Sequence, residues 1–270
     1  MDYGNLAATI AAMAAAGAAS GVLAGLFGIG GGAVLVPVLV IFLGLQGVPA
    51  TVLTHMAVGT SLAVILPTAV RSYLAHRARG APDEALLRSW LFWVPAGVIA
   101  ASLVVAQVPG AALRIVFAIV ATLIAIKMLL NRESWSLGAD LPRWRGLVGL
   151  IIGAVSTFMG IGGGNLNNVF MTSYGRPIHQ AVATSAGLGV LIAVPGVLGY
   201  VWAGWGHPDL PPWSLGYVDL LALVLVFPTA MLAAPLGVRL AHGLSKRRME
   251  IAFGVFLLTV AARFAWTALD

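Results

Sequence analysis

Gly28-Ile29-Gly30-Gly31-Gly32 and Gly160-Ile161-Gly162-Gly163-Gly164 interrupt two apolar stretches of the chain, 6–45 and 146–174. Each glycine in a helix interior costs about 1 kcal/mol against alanine, so a cluster of four should break a helix. The spacing predicts two pairs of half-helices, 6–27 with 33–45 and 146–159 with 165–174. Within a bilayer, broken backbone survives only when it is buried in protein or lines a cavity. These two breaks therefore decide the fold.

The rest of the composition sets the solvent. Of 270 residues, 60% are hydrophobic and 9% are charged, whereas a soluble domain carries about 25% charged residues. Such a chain cannot cover itself with a hydrated surface, which excludes soluble enzymes, disordered proteins and nucleic-acid modules. With no cysteine, a disulfide framework, a thiolate nucleophile and a zinc-thiolate site are excluded too. The start, Met1 to Asn5, has no Lys or Arg, so no secretory signal is expected there. Stretches of roughly 20 apolar residues can span as helices, and six occur, at about 52–75, 90–108, 112–130, 180–202, 216–238 and 249–268. The expected fold is an all-α, polytopic integral membrane protein with about six full spans and two broken pairs.

Basic residues orient it, because they favour the cytoplasmic side. They cluster at Arg71–Arg88, Lys127–Arg145, Arg176 and Arg239–Arg248, while 46–51 and 203–215 have none. Placing the clusters inside puts both termini outside. The inside then carries 13 basic and 5 acidic residues of a chain whose net charge is +6, so the basic balance reports topology. Tryptophans form two interfacial belts on this map, Trp90, Trp93, Trp135 and Trp144 inside, and Trp202, Trp205, Trp213 and Trp266 outside.

The halves resemble each other. The glycine clusters are offset by 160 − 28 = 132, and His55-Met-Ala-Val-Gly-Thr60-Ser61 recurs as His179-Gln-Ala-Val-Ala-Thr184-Ser185 at an offset of 124. With the predicted topology, 1–135 and 136–270 are repeats of opposite orientation. Inverted repeats with broken helices place a substrate site near the midplane, at the repeat interface.

The repeated residues suggest how such a site works. The half-helices restart near Gly31–Val34 and Gly163–Leu166, with Gly30, Gly31, Gly32, Gly162, Gly163 and Gly164 as the candidate backbone contacts for a substrate. Free N–H groups at a helix start carry partial positive charge, and two such ends can hold an anion without buried Lys or Arg. Close helix packing is the alternative role for small residues. Thr60, Ser61, Thr184 and Ser185 offer hydroxyls to a substrate, or back to their own helices. Asn165, at the second restart, is the foremost side-chain ligand candidate, with Asn167 and Asn168 beside it, since polar groups at membrane depth mark functional cavities. His55 and His179 fit either a gate or proton carrier or a helix cap. Lys127 and Arg263 are expected to snorkel, and Asp219 and Glu250 lie near span ends. No catalytic group, metal site or cofactor is expected.

Gly25-Leu-Phe-Gly-Ile-Gly-Gly-Gly32 with Pro37, Ser156-Thr-Phe-Met-Gly-Ile-Gly-Gly-Gly164, and the two His-to-Ser motifs resemble those of the TauE/SafE family of sulfite exporter-like permeases. The resemblance covers nearly the whole chain. It implies export of a small sulfur-containing anion, most simply sulfite, by alternating access. An organosulfonate such as sulfoacetate, thiosulfate, or a passive anion channel on the same fold are the alternatives. Asn165-Leu-Asn-Asn168 departs from the apolar stretch ordinary there. The implied partners are the anion and the lipid bilayer, with a homodimer left open and nucleic acid excluded.

Overall fold

The computed structural model describes residues 3–27, 32–130, 138, 141–242 and 246–269. Among these residues the regular secondary structure is helical apart from one small hairpin. The first part holds α1 (Tyr3–Phe27), α2 (Gly32–Leu45), α3 (Ala50–Arg77), α4 (Glu84–Trp90), α5 (Trp93–Val105) and α6 (Gly110–Leu130). The second holds α7 (Arg145–Met159), α8 (Gly164–Ser173), α9 (Ile178–Ala203), β1 (Ser214–Leu215), β2 (Val218–Asp219), α10 (Leu220–His242) and α11 (Lys246–Leu269). This is an all-α polytopic membrane protein.

Five described helices, α3, α6, α9, α10 and α11, are long and apolar enough to cross a bilayer, and a sixth span forms if α4 and α5 count as one, bent by 41°. The stretch expected to span over 90–108 is therefore bent near its start, and the one expected from 216 begins only at Leu220, because 214–219 pair as the antiparallel strands β1 and β2. At 1.5 Å per residue, α7 is about 22 Å long and α8 about 15 Å, each short of the ~30 Å hydrocarbon core. Neither is long enough to cross alone. The corresponding break between α1 and α2, at 28–31, lies outside the described residues.

Helix partnerships come in reciprocal sets. The most extensive are α1 with α10, α6 with α11, α3 with α9, and α5 with α7. So the first helix of each part packs on the fourth membrane segment of the other. Glycines make these contacts close. On α1, a Cβ at Gly17 or Gly21 would strike the α10 backbone at Val226 or Ala230. On α7, a Cβ at Gly149 would lie 2.6 Å from the Trp90 ring, and one at Gly153 would strike the Val94 carbonyl. Both pairs have glycines four apart, the small-xxx-small spacing that lets membrane helices approach closely. Overpacking such a contact costs typically 1–3 kcal/mol. Gly153→Leu should accordingly lower the thermal unfolding temperature of the detergent-solubilised protein. Leu232→Ala, on a side chain 74% exposed on α10, should leave it near wild type.

The lipid-facing surface is apolar, with Leu123, Leu198, Val224 and Leu232 all strongly exposed. Trp93, Trp144, Trp202, Trp205, Trp213 and Trp266 are exposed as interfacial anchors require, but Trp90 is fully buried. It packs over Gly149 and donates its Nε1–H to the Arg145 carbonyl at 2.7 Å, so it joins α4 to α7 and is no belt residue. Trp135 lies outside the described residues. Lys127 also differs from expectation. Its Nζ turns inward to the Val169 carbonyl at 3.3 Å and Ser173 Oγ at 3.2 Å, which places a positive charge at the C-terminal end of α8, where the helix dipole favours it.

Candidate functional site

The second break is built from two left-handed glycines. Gly160 (φ 67°) closes α7, its N–H and that of Ile161 returning to carbonyls of the last turn, and Gly163 (φ 71°) precedes α8. Only glycine adopts this conformation at no steric cost. No side chain caps α8, and its first backbone bond is Asn167 N–H to the Gly163 carbonyl at 2.9 Å. The N–H groups at 164–166 therefore have no intrahelical acceptor. Those of Gly162 and Gly163 likewise find no backbone acceptor among the described residues.

This loop is wedged between α3, α9 and the start of α2. A Cβ at Gly32 would lie 2.9 Å from the Gly160 carbonyl oxygen and 2.8 Å from the Ile161 Cα. The one described residue of the first cluster thus touches the second. Gly30 and Gly31 lie outside the described residues. The Ile65 side chain reaches between the two segments, 2.8 Å from a Cβ at Gly32 and 3.2 Å from one at Gly162. The matching α9 position, 124 residues on, is Gly189, so the apolar plug comes from one part only.

The two serines hold the ends of the loop. Ser61 Oγ donates to the Gly160 carbonyl at 2.8 Å. Ser185 Oγ has the Asn168 Oδ1 at 2.9 Å and the Gly164 carbonyl at 3.3 Å as acceptors, and it accepts from Asn167 Nδ2 at 2.7 Å. Asn167 Nδ2 also faces the Ala181 carbonyl at 3.2 Å. Asn167 and Asn168 are thus positioned by α9. Asn165 differs: it is 7% exposed, yet its amide forms no hydrogen bond among the described residues. It lies in the first turn of α8, whose N–H groups have no intrahelical acceptor.

The threonines are engaged elsewhere. Thr60 Oγ1 accepts the Asp219 N–H at 2.9 Å, and Thr184 Oγ1 accepts the Asp83 N–H at 2.9 Å while donating to the Gln180 carbonyl at 2.8 Å. Asp83 and Asp219, in turn, accept from the N–H three residues on, Leu86 at 2.9 Å and Ala222 at 2.7 Å. From sequence alone Asp219 is placed near a span end and Asp83 is not singled out, although their offset of 219 − 83 = 136 is close to that of the glycine clusters. Burial raises the Asp219 carboxyl above its ordinary value, partly opposed by the N–H groups of Ala222 and Leu221. A carboxyl raised in the folded state stabilises most when protonated, a contribution lost as pH rises through its native value.

The two histidines part company. His55 is buried, its Nε2 faces the Val105 and Val108 carbonyls at 3.2 and 3.0 Å, and its ring stacks on Tyr217 at 4.9 Å. It caps the end of α5 and bears the 204–219 segment. His179 is exposed on the first turn of α9.

The family model described as sulfite exporter TauE/SafE matches residues 12–264. The chain belongs to the TauE/SafE family. It is 33% identical over 241 residues to a probable membrane transporter protein of Haemophilus influenzae, covering 88% of this chain and 91% of that one. It is 27% identical over 233 residues to a probable membrane transporter protein of Methanocaldococcus jannaschii, covering 85% of each. No solved structure matches it. The TauE/SafE match spans both breaks and both His-to-Ser motifs, and the chain is a multi-pass membrane transporter.

Proposed function

We propose that this TauE/SafE chain exports a small sulfur-containing oxyanion, sulfite foremost, by alternating access across a bacterial inner membrane with both termini periplasmic. The two halves act as inverted repeats, 1–135 and 136–270, around the paired breaks, and no catalytic step is assigned to either. One observation carries the reading. The start of α8 sets backbone N–H groups that have no backbone acceptor among the described residues beside the side chain of Asn165, which forms no hydrogen bond among them. These are neutral donors at a helix N-terminus, the arrangement that favours an anion without the cost of a buried cation. Gly162, Gly163, Gly164 and Asn165 are the proposed contacts, with the partner donors from Gly30, Gly31 and Gly32. Ser61 and Ser185 hold the ends of the loop, and Thr60 and Thr184 tie the central helices to the segments that carry Asp219 and Asp83. An inside-negative potential drives an anion outward by about 2.3 kcal/mol per charge per 100 mV, so export needs no ion pump.

The test is sulfite flux in proteoliposomes with thiosulfate, sulfoacetate and sulfate as competitors. Saturable sulfite flux, inhibited by the closest analogues, is expected. Flux no faster than in protein-free vesicles would overturn sulfite as substrate. Bilayer currents far above carrier turnover would replace the transporter with an anion channel.

A further inference from the structure

The hydrogen bonds from Asp219 to Thr60 and from Asp83 to Thr184 are equal in length and lie on different faces of the protein. Each joins a segment between membrane helices in one part to the central helix of the other. We propose that Thr60 with Asp219, and Thr184 with Asp83, are matched latches, each shutting one side of the transport path. The inference rests on the alternating access proposed above.

Three observations support it. First, each aspartate fixes the turn that carries its own N–H, through its side-chain bond to Leu86 or Ala222. The donor is therefore presented by a rigid turn and not by a loose loop. Second, each segment covers the end of a central helix. On one face the Tyr217 ring lies on His55, and a Cβ at Gly59 would sit 2.5 Å from the Tyr217 carbonyl oxygen. On the other, Leu87 of α4 closes on Gly187, where a Cβ would lie 2.7 Å from it. Third, each threonine immediately precedes the serine that holds an end of the Gly160–Gly164 loop. Movement of either covering segment is thus transmitted to the break within one residue. Thr60 and Thr184 are fully buried, so water cannot replace a broken bond until the segment lifts. Both hydrogen bonds are formed here, so both latches are shut. Transport requires one to release at a time, and Asp83 and Asp219 are the positioning residues that set which.

The chain has no cysteine, so Asn165→Cys supplies a unique central thiol for a membrane-impermeant maleimide applied to one face of vesicles at a time. Thr184→Val keeps the side-chain shape and removes the acceptor. It should raise labelling roughly tenfold from the face bearing Arg77 and Arg88. Thr60→Val should do so from the face bearing 204–219, and Thr→Ser at either position should restore the background. If a valine variant does not fold, Asp83→Ala and Asp219→Ala, which free the turns, carry the same face-by-face expectation. Increased labelling from the same face in both variants, or from neither, overturns the latches. A thiol open to both faces before any latch is changed overturns alternating access itself.

Discussion

Gly163→Leu should reduce sulfite flux to the level of protein-free vesicles. At φ 71° the backbone is left-handed, and a Cβ there would lie 2.6 Å from Ile192 Cδ1 and 3.1 Å from Leu188 Cδ2. A non-glycine residue in this conformation costs about 1–2 kcal/mol, and a branched side chain adds overpacking of about 1–3 kcal/mol. The strain can be relieved only by moving the start of α8, which displaces the N–H groups proposed to meet the anion. Gly160→Asn separates the two causes. Asparagine visits the left-handed region more readily than other side chains, but its Cβ would still lie 2.8 Å from Val36 Cγ2 and 3.0 Å from the Val58 Cα. Flux and thermal unfolding should be read together. A Gly163→Leu protein that transports like wild type would reduce the break to a packing device.

Asn165→Leu should raise the sulfite KM roughly 10- to 100-fold while leaving the unfolding temperature unchanged or higher. Hydrogen bonds to charged groups contribute about 1.5–3 kcal/mol, and each 1.4 kcal/mol is about tenfold in affinity. The amide has no partner among the described residues, so its removal strands no group among them. Asn167→Leu is the contrast. It would leave the Ala181 carbonyl and Ser185 Oγ, 3.2 and 2.7 Å from its amide nitrogen, without a donor, at a cost of about 1–3 kcal/mol in stability. Equal loss of stability in both variants would remove Asn165 from the ligand set.

Much of this architecture was legible in the sequence because two rules dominate in lipid: long apolar runs become helices, and glycine clusters break them. The second break, Asn165 and the Thr-Ser pairs could be named from spacing alone. What a hydroxyl does with its proton could not. Thr60 and Thr184 find partners more than 100 residues away, at Asp219 and Asp83, and nothing local to a threonine announces that. The same holds for Trp90, which has the sequence context of an interfacial anchor but meets Gly149, whose missing side chain makes room for the ring. His55 and His179 occupy matching motifs, yet only His55 lies under Tyr217, because the 204–219 segment forms a hairpin where the opposite face has the short helix α4.

The exchange of partners between α1 and α10 has a consequence for biogenesis. When α1 leaves the ribosome, the helix that will cover Gly17 and Gly21 is still roughly 200 residues from synthesis, which at about 5–20 residues per second is ~10–40 s. Through that interval a glycine-lined face must be sheltered by lipid or by the insertion machinery. The second half has no such wait, since α5 is already in place when α7 arrives. Nascent chains stalled before α10 should therefore be far more open to proteases than chains stalled just after it.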